Sequence, residues 1–166
     1  MGIAFEVHPA NVEELVEGDP RELALTNARR KALAVAGELV LGADTDVALD
    51  GEVLGKPRDA AHARELLARL AGRRHHVVGG IALAEDGAIV AEDVVITAVA
   101  FRALDDALLD WYVGTGEWEG RAGGYAIQGK GAALVAGIEG DYLNVVGLPL
   151  ARLLELRPEL LPTRRP

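Results

Sequence analysis

Cysteine is absent from this chain, which excludes disulfide bonds, thiolate metal sites and a cysteine nucleophile. Long apolar runs are absent as well, so the sequence predicts no membrane span. The first residues, Met1–Glu6, have neither the basic start nor the long apolar core of a secretory signal peptide. Together these features predict a cytoplasmic protein.

Basic residues are fewer than acidic ones, with 17 Lys and Arg against 26 Asp and Glu and a formal net charge of −9. Surfaces that bind nucleic acids or anionic membranes need clustered positive charge. We therefore expect neither partner, and any anionic ligand must be small. The 166 residues, half of them hydrophobic, predict a single domain over 1–166, with a tail over 157–166 that frays.

Apolar residues recur at helical spacing in some segments and alternate in others, which predicts helices interleaved with paired strands. Three of the predicted helices begin at an aspartate that can cap them, and the first two of these end at Gly37 and Gly72. This pattern is typical of an α/β domain with a mixed sheet. The expected elements are a short strand at Ile3–Val7, helices from Asp19, Asp59 and Asp105, antiparallel strands between His76 and Phe101, and a last helix over Pro149–Leu156.

A hairpin is predicted where Asp50-Gly51 follows an apolar segment, because this dipeptide accepts the positive φ angles of a two-residue turn. With that turn, Val47 faces Leu54. If the ladder continues, Thr45 faces Lys56 and Asp44 faces Pro57, with facing Cβ atoms roughly 5 Å apart, so Asp44 and Lys56 become near neighbours. A carboxylate and an ammonium at a strand end suit chemistry on an anion. The alternative is an exposed ion pair worth about 0.5 kcal/mol.

Glycines are dense over Gly123–Gly131, which is too many for a core strand and typical of tight turns or of close backbone approach to a ligand. Glycine loops that bind phosphate follow a strand and open a helix, whereas this segment runs into a predicted strand. Neither the dinucleotide fingerprint nor the P-loop therefore applies, and a plain connecting loop is the alternative.

Seven motifs follow one another along the chain. They are Gly42–Thr45, Gly55–Pro57, Gly72-Arg73 with His75, Val99 with Phe101-Arg102, Thr115–Trp118, Ala122–Gly131 and Gly140–Leu150. In order and spacing they resemble the Maf family of nucleoside triphosphate pyrophosphatases. The resemblance implies an α/β fold with a mixed twisted sheet, flanking helices and two lobes around a central cleft, like that of the inosine triphosphate pyrophosphatases. It also implies a homodimer that hydrolyses a nucleoside triphosphate to its monophosphate and pyrophosphate.

The resemblance assigns roles to particular residues. Asp44 is similar to the family's proton acceptor, which deprotonates the water that attacks the α-phosphorus. Thr45 and Gln128 match positions that select the base, and Lys31 and Lys56 match lysines that contact phosphate. The set is chemically coherent, because a carboxylate can activate water while lysines offset charge on phosphate oxygens. A solvated lysine at position 31 and an amide that only bonds loop backbone at position 128 are the structural alternatives.

Two further acidic residues bear on the cofactor. Glu14 falls where the resemblance implies an acidic residue, which we assign to a divalent cation, Mg²⁺ or Mn²⁺, with a loop acid as the alternative. Asp46 stands where the family usually has an apolar residue. It either adds a metal ligand or lies on the solvent side of the hairpin, and we expect the latter.

The substrate is predicted from the motifs at Gly116–Trp118 and Ala122–Gly129, which resemble the branch of the family that acts on dTTP, UTP and modified pyrimidine nucleotides. A glutamine amide can pair with the donor and acceptor edge of uracil or thymine. The branch that prefers 7-methyl-GTP is the alternative.

The family normally carries a segment of the form Ser-x-Ser-Pro-Arg-Arg about twenty residues before the position of Met1, where its arginines hold the triphosphate at a helix start. That segment is not in this sequence. One hypothesis is a misassigned start, with the arginine segment encoded upstream in frame. The other is a catalytically impaired nucleotide-binding or regulatory protein linked to cell division.

Overall fold

The computed structural model describes residues 3–161, which form five strands and five α-helices. Three short 3₁₀ helices cover Ala122–Gly124, Lys130–Leu134 and Pro158–Leu160. The longer elements, in chain order, are α1 (Pro20–Leu33), β1 (Leu39–Leu49), β2 (Glu52–Leu54), α2 (Ala60–Leu70), β3 (Arg74–Glu85), β4 (Ala88–Phe101), α3 (Asp106–Val113), β5 (Val135–Glu139), α4 (Tyr142–Val146) and α5 (Leu150–Leu156).

The predicted helix starts are confirmed. The side chain of Asp19 accepts hydrogen bonds from the amides of Arg21 and Glu22, and Asp59 and Asp105 cap α2 and α3 in the same way. The end of α1 comes earlier than Gly37, at Leu33, and a short turn then leads into β1.

The sheet has the order β2-β1-β3-β4-β5, with helices packed against it. The α/β class is confirmed, but the four strand pairs within residues 3–161 are all antiparallel, so the expectation of a mixed sheet is wrong. The reason is the position of β1. Strands β2 and β3 run in the same direction, and β1 lies between them, so they never pair.

The hairpin register is confirmed close to the turn. Val47 faces Leu54, and Asp50 and Gly51 have φ angles of 53° and 84°. The ladder stops at Leu54, however, and does not continue to Lys56. It stops because the carbonyl of Gly55 instead accepts a hydrogen bond from the amide of Gly123, 3.1 Å away, in the glycine-rich segment.

The strand expected at Ile3–Val7 does not form. Residues 3–16 contain no helix or strand, and Phe5 and Val7 are 79% and 81% exposed. An isolated strand has no partner for its backbone hydrogen bonds, and no strand of the sheet pairs with this segment. Of the predicted tail, residues 162–166 lie outside the described residues. None of the helices within residues 3–161 is long and apolar enough to cross a bilayer.

Buried side chains form one large cluster and two small ones. The large cluster packs α2 and α3 against the sheet and includes Val77 of β3. The small clusters lie farther along the same strand, where Ala82 contacts α1 and Ile81 contacts α5. Asp44, which pairs with Gly80 of β3, lies between these regions. The division fits the two lobes that the resemblance implies.

Helix α1 rests directly on the backbone of the sheet. A Cβ atom added at Gly42 would lie 2.1 Å from the carbonyl oxygen of Ala28, and one added at Gly80 would lie 2.2 Å from that of Ala24. Only glycine at these positions of β1 and β3 allows so close a contact. As a result, the polar face of α1 is held over Asp44.

Candidate active site

An open cavity of about 240 Å³ lies between α1, β1, the glycine-rich segment and the end of α4. Five of the six residues that the sequence predicted for the site line this cavity, and the sixth, Glu14, contacts two of them. The five are Lys31, Asp44, Thr45, Lys56 and Gln128.

Asp44 lies in the middle of β1 rather than at a strand end, and each of its carboxylate oxygens has a partner. Lys31 donates to Oδ1 at 2.5 Å, and Asn27 donates to Oδ2 at 3.1 Å. The Asn27 side chain is fully buried and also bonds both backbone groups of Leu15, at 2.8 and 3.0 Å. Asn27 was not among the predicted site residues. Its signal was an amide among the apolar residues of the buried face of α1.

The predicted pairing of Asp44 with Lys56 is wrong. Lys31 occupies the carboxylate of Asp44, and Glu14 accepts from Lys31 at 2.7 Å and from Lys56 at 3.0 Å. Lys56 therefore reaches the site through Glu14. The difference arises because β2 ends before Lys56, whereas α1 lies close enough for Lys31 to extend over β1.

The ion pairs described above shift the pKa values of Glu14 and Lys31. The hydrogen bond from Lys31 is the largest influence on Glu14 and, with that from Lys56, lowers the pKa of its carboxyl despite partial burial. Burial lowers the pKa of Lys31, but its hydrogen bonds to Asp44 and Glu14 outweigh burial and raise it overall. Both groups are consequently charged at neutral pH, and Lys31 is a stable cation next to the cavity.

The residues assigned to base selection, Thr45 and Gln128, also line the cavity. Thr45 donates a hydrogen bond to the carbonyl of Gly147 at 3.4 Å, and Gln128 is exposed at the cavity rim after five consecutive buried residues. Arg121 also lines the cavity and was missed. It directly precedes the motif at Ala122–Gly131, which was its only signal in the sequence.

Asp46 does not lie on the solvent side of the hairpin, as was expected. It is partly buried because β1 continues through it, paired with Val78, and one carboxylate oxygen is buried without a hydrogen-bond partner among the described residues. Burial first, and then the negative charges of Asp44 and Glu14, raise the pKa of Asp46 to about 6. Asp46 is thus a poorly solvated carboxyl group beside the candidate base.

A metal ion has no ready-made site here. Within residues 3–161, no three His, Cys, Asp or Glu side chains are grouped so that they could hold one. The carboxylates of Asp44 and Glu14 offer the oxygen donors that Mg²⁺ prefers, but lysines already occupy them. These residues do not fit a resident metal centre.

A buried aromatic cluster of Tyr125, His75 and Phe101 packs beside the cavity. Tyr125, which lines the cavity, is hydrogen-bonded through its hydroxyl to Nε2 of His75 at 2.9 Å, and both rings pack edge-on against Phe101. Burial is the main reason that the pKa of His75 falls to about 4. His75 is therefore neutral at physiological pH and acts as part of the core.

The chain matches one family of known proteins over most of its length. The family described as "Maf-like protein" matches residues 1–159. A dTTP/UTP pyrophosphatase of Anaeromyxobacter sp. (strain Fw109-5) is 53% identical over 162 residues, covering 94% of this chain and 79% of that protein. Proteins of the same name from Symbiobacterium thermophilum and Pyrococcus furiosus are 50% and 47% identical, covering 94% and 90% of this chain and 83% and 82% of those proteins.

Proposed function

This chain belongs to the Maf-like protein family, and on that basis we propose that it hydrolyses nucleoside triphosphates, with dTTP and UTP preferred, to the nucleoside monophosphate and pyrophosphate. The observation that carries the proposal is the arrangement at the cavity. A carboxylate held by Lys31 and Asn27 lies beside two further cations, Lys56 and Arg121. The relatives named dTTP/UTP pyrophosphatase support the same reaction.

Asp44 is proposed as the general base. It takes a proton from a water molecule while the water oxygen bonds to the α-phosphorus. The bond from this phosphorus to the oxygen that bridges to the β-phosphate then breaks, and its electron pair leaves with pyrophosphate. Lys31 and Lys56 stabilise the negative charge that builds on the phosphate oxygens, and Arg121 extends the positive surface toward the β- and γ-phosphates.

Base selection is assigned to Thr45 and Gln128, which line the same cavity as the lysines. The amide of Gln128 offers one donor and one acceptor side, and uracil and thymine present the complementary pair. Cytosine presents a different pattern at the same edge. We therefore expect UTP and dTTP to be hydrolysed faster than CTP.

The divalent cation, Mg²⁺ or Mn²⁺, is proposed to arrive bound to the triphosphate. Mg²⁺ is commonly held by one or two carboxylates together with substrate phosphates. The phosphates would draw Lys31 and Lys56 away from Glu14, whose carboxylate then becomes available to the cation. This ordering supports the assignment of Glu14 to the metal without a preformed centre.

One assay tests the function. The purified chain is incubated with dTTP, UTP, CTP, GTP and 7-methyl-GTP, each with Mg²⁺ or Mn²⁺, and released pyrophosphate is measured. The proposal predicts the highest kcat/KM for dTTP and UTP. A preference for 7-methyl-GTP would assign the chain to the purine branch, and nucleotide binding without any pyrophosphate release would favour a regulatory protein.

We also propose that the chain acts as a homodimer in the cytoplasm, which rests on the family resemblance. Light scattering on the eluting protein would then give a mass of about twice 17.5 kDa. A monomeric mass at the concentration of the activity assay would contradict the dimer while leaving the reaction unaffected.

A further inference from the structure

The turn that carries Gln128 is anchored on both sides by side chains from one neighbouring segment. The amide of Ala126, two residues before Gln128, donates to the hydroxyl of Tyr112 at 3.0 Å. The amide of Lys130, two residues after it, donates to Oε2 of Glu117 at 2.6 Å. Gln128 is thus the exposed tip between two fixed points.

The glycines of this turn are explained by the same packing. A Cβ atom added at Gly129 would lie 2.4 Å from Oε2 of Glu117, and one added at Gly131 would lie 2.4 Å from the carbonyl oxygen of Ala126. The backbone is therefore pressed against Glu117 and closes on itself. Close packing within the protein therefore accounts for both glycines, against the Glu117 carboxylate at Gly129 and against the backbone of Ala126 at Gly131.

The two anchoring residues are fixed relative to each other. Tyr112 is fully buried near the end of α3. The hydroxyl of Thr115 donates to the carbonyl of Tyr112 at 2.7 Å and accepts from the amide of Glu117 at 3.2 Å. Nearby, the indole of Trp118 donates to the carbonyl of Val113 at 3.0 Å. These hydrogen bonds hold the segment from Tyr112 to Trp118 in one conformation behind the turn.

From this arrangement we propose that Tyr112 and Glu117 are positioning residues that set base selectivity by holding the backbone on both sides of Gln128, and with it the point from which its side-chain amide reaches the base. The inference rests on the proposed function, in which Gln128 reads the base. Neither anchoring side chain lines the cavity, so neither contacts the nucleotide. The hydrogen bond from the backbone amide of Lys130 to Glu117 is charge-assisted when the Glu117 carboxyl is ionised. Charge-assisted hydrogen bonds are stronger than neutral ones. A turn released from it would let Gln128 accept cytosine as readily as uracil.

The decisive comparison is Glu117→Ala against Glu117→Gln. We expect Glu117→Ala to lower the ratio of kcat/KM for UTP over CTP about tenfold, through a raised KM for UTP and with kcat for UTP within about threefold of wild type. Glu117→Gln should keep most of the ratio, because its amide oxygen still accepts the hydrogen bond from Lys130. The exposed Glu119 provides the matched control, and Glu119→Ala should leave the ratio unchanged.

Equal losses for every nucleotide, with the UTP to CTP ratio unchanged in Glu117→Ala, would overturn the proposal. So would a wild-type protein that does not distinguish UTP from CTP. If Glu117→Ala does not fold, Tyr112→Phe removes only one hydroxyl and should lower the ratio in the same direction. An unchanged ratio in Tyr112→Phe would then contradict the inference.

Failure of the proposed hydrolysis can be distinguished from failure of the positioning role. If the wild-type chain releases no pyrophosphate, equilibrium binding of UTP and CTP replaces turnover as the measurement. A preference for UTP that is lost in Glu117→Ala would support the positioning role in a binding protein. The positioning role would be overturned if wild type and Glu117→Ala showed the same preference for UTP over CTP, or if neither nucleotide bound.

Discussion

Each carboxylate oxygen of Asp44 accepts one hydrogen bond and keeps a further lone pair for a proton, so the positions of its two partners decide where water can approach. Oδ2 is held by the buried amide of Asn27, which is itself fixed by Leu15, whereas Oδ1 is held by Lys31, which lines the cavity. A triphosphate offers Lys31 a stronger anionic partner. Its binding would therefore release Oδ1 toward the cavity, so that the base is freed when the substrate is present.

Replacement of Asp44 by asparagine tests this role. The asparagine side chain has nearly the same shape but cannot take up a proton, so kcat should fall by at least about 100-fold while the chain stays folded. Pyrophosphate release and circular dichroism measure the two effects. Asp110→Asn, which alters only an exposed ion pair with Arg64, is the control and should keep full activity. Retained turnover in Asp44→Asn would remove this residue from the role of base.

Asp46 predicts a pH dependence of stability. Its pKa rises from an ordinary value near 3.8 to about 6 in the folded protein. Because the folded state disfavours the charged form, the wild-type protein loses stability as the pH rises from about 4 through 6. Asp46→Asn should therefore be more stable than wild type at pH 8, by about 1 kcal/mol, since the side chain is partly solvated and its charge is screened.

Denaturant unfolding between pH 4 and pH 8 measures this difference. The gap between Asp46→Asn and wild type should close at the acidic end, where the wild-type carboxyl is protonated in both states. Asp86→Asn, in the exposed turn between β3 and β4, is the matched control and should follow the wild-type curve. A constant gap across the whole pH range would show that the carboxyl does not cause it.

At the scale of elements, the contact between α1 and the sheet determines the site. Gly42→Ala would place a methyl group 2.1 Å from the carbonyl of Ala28 and 2.5 Å from the amide of Ala32, so α1 must move. We expect a loss of about 1 to 3 kcal/mol in the free energy of unfolding. Activity should fall as well, because Lys31 would move away from Asp44.

Gly137 in β5 is the matched control for this substitution. It is also a strand glycine, and an added Cβ there meets nothing within 4 Å. Gly137→Ala should change the free energy of unfolding by less than about 0.5 kcal/mol. If Gly42→Ala and Gly137→Ala behave alike in unfolding and in turnover, the contact of α1 with the sheet does not control the site.

Local features could be predicted from the sequence, whereas the contact between α1 and the sheet could not. The caps at Asp19 and Asp59 and the turn at Asp50-Gly51 are local, since each depends on residues within a few positions, and all three are confirmed. The partner of Asp44 depends on where a helix lies across a strand, and no spacing in the sequence fixes that placement. Lys31 was therefore assigned to phosphate, while its contact with Asp44 went unpredicted.

At the scale of the whole molecule, the net negative charge opposes triphosphate binding, whereas the cations that line the cavity favour it. The chain carries a formal net charge of −9, which repels a triphosphate over most of its surface. Lys31, Lys56 and Arg121 gather at the cavity described above, between the large buried cluster and the two smaller ones. A bound nucleotide would therefore add a further link between elements that Glu14 already joins through Lys31 and Lys56.

Thermal unfolding of the Asp44→Asn variant, which leaves the nucleotide intact, tests this joining. With Mg²⁺ and UTP at about 100 times Kd, binding should add about 2.7 kcal/mol and raise Tm by roughly 5 to 10 °C. Uridine should give a much smaller rise, because it does not engage the cations. Adding Arg121→Ala should reduce the shift with UTP, whereas adding Arg64→Ala, at a residue that does not line the cavity, should not. Equal shifts in both double variants would mean that the triphosphate binds elsewhere.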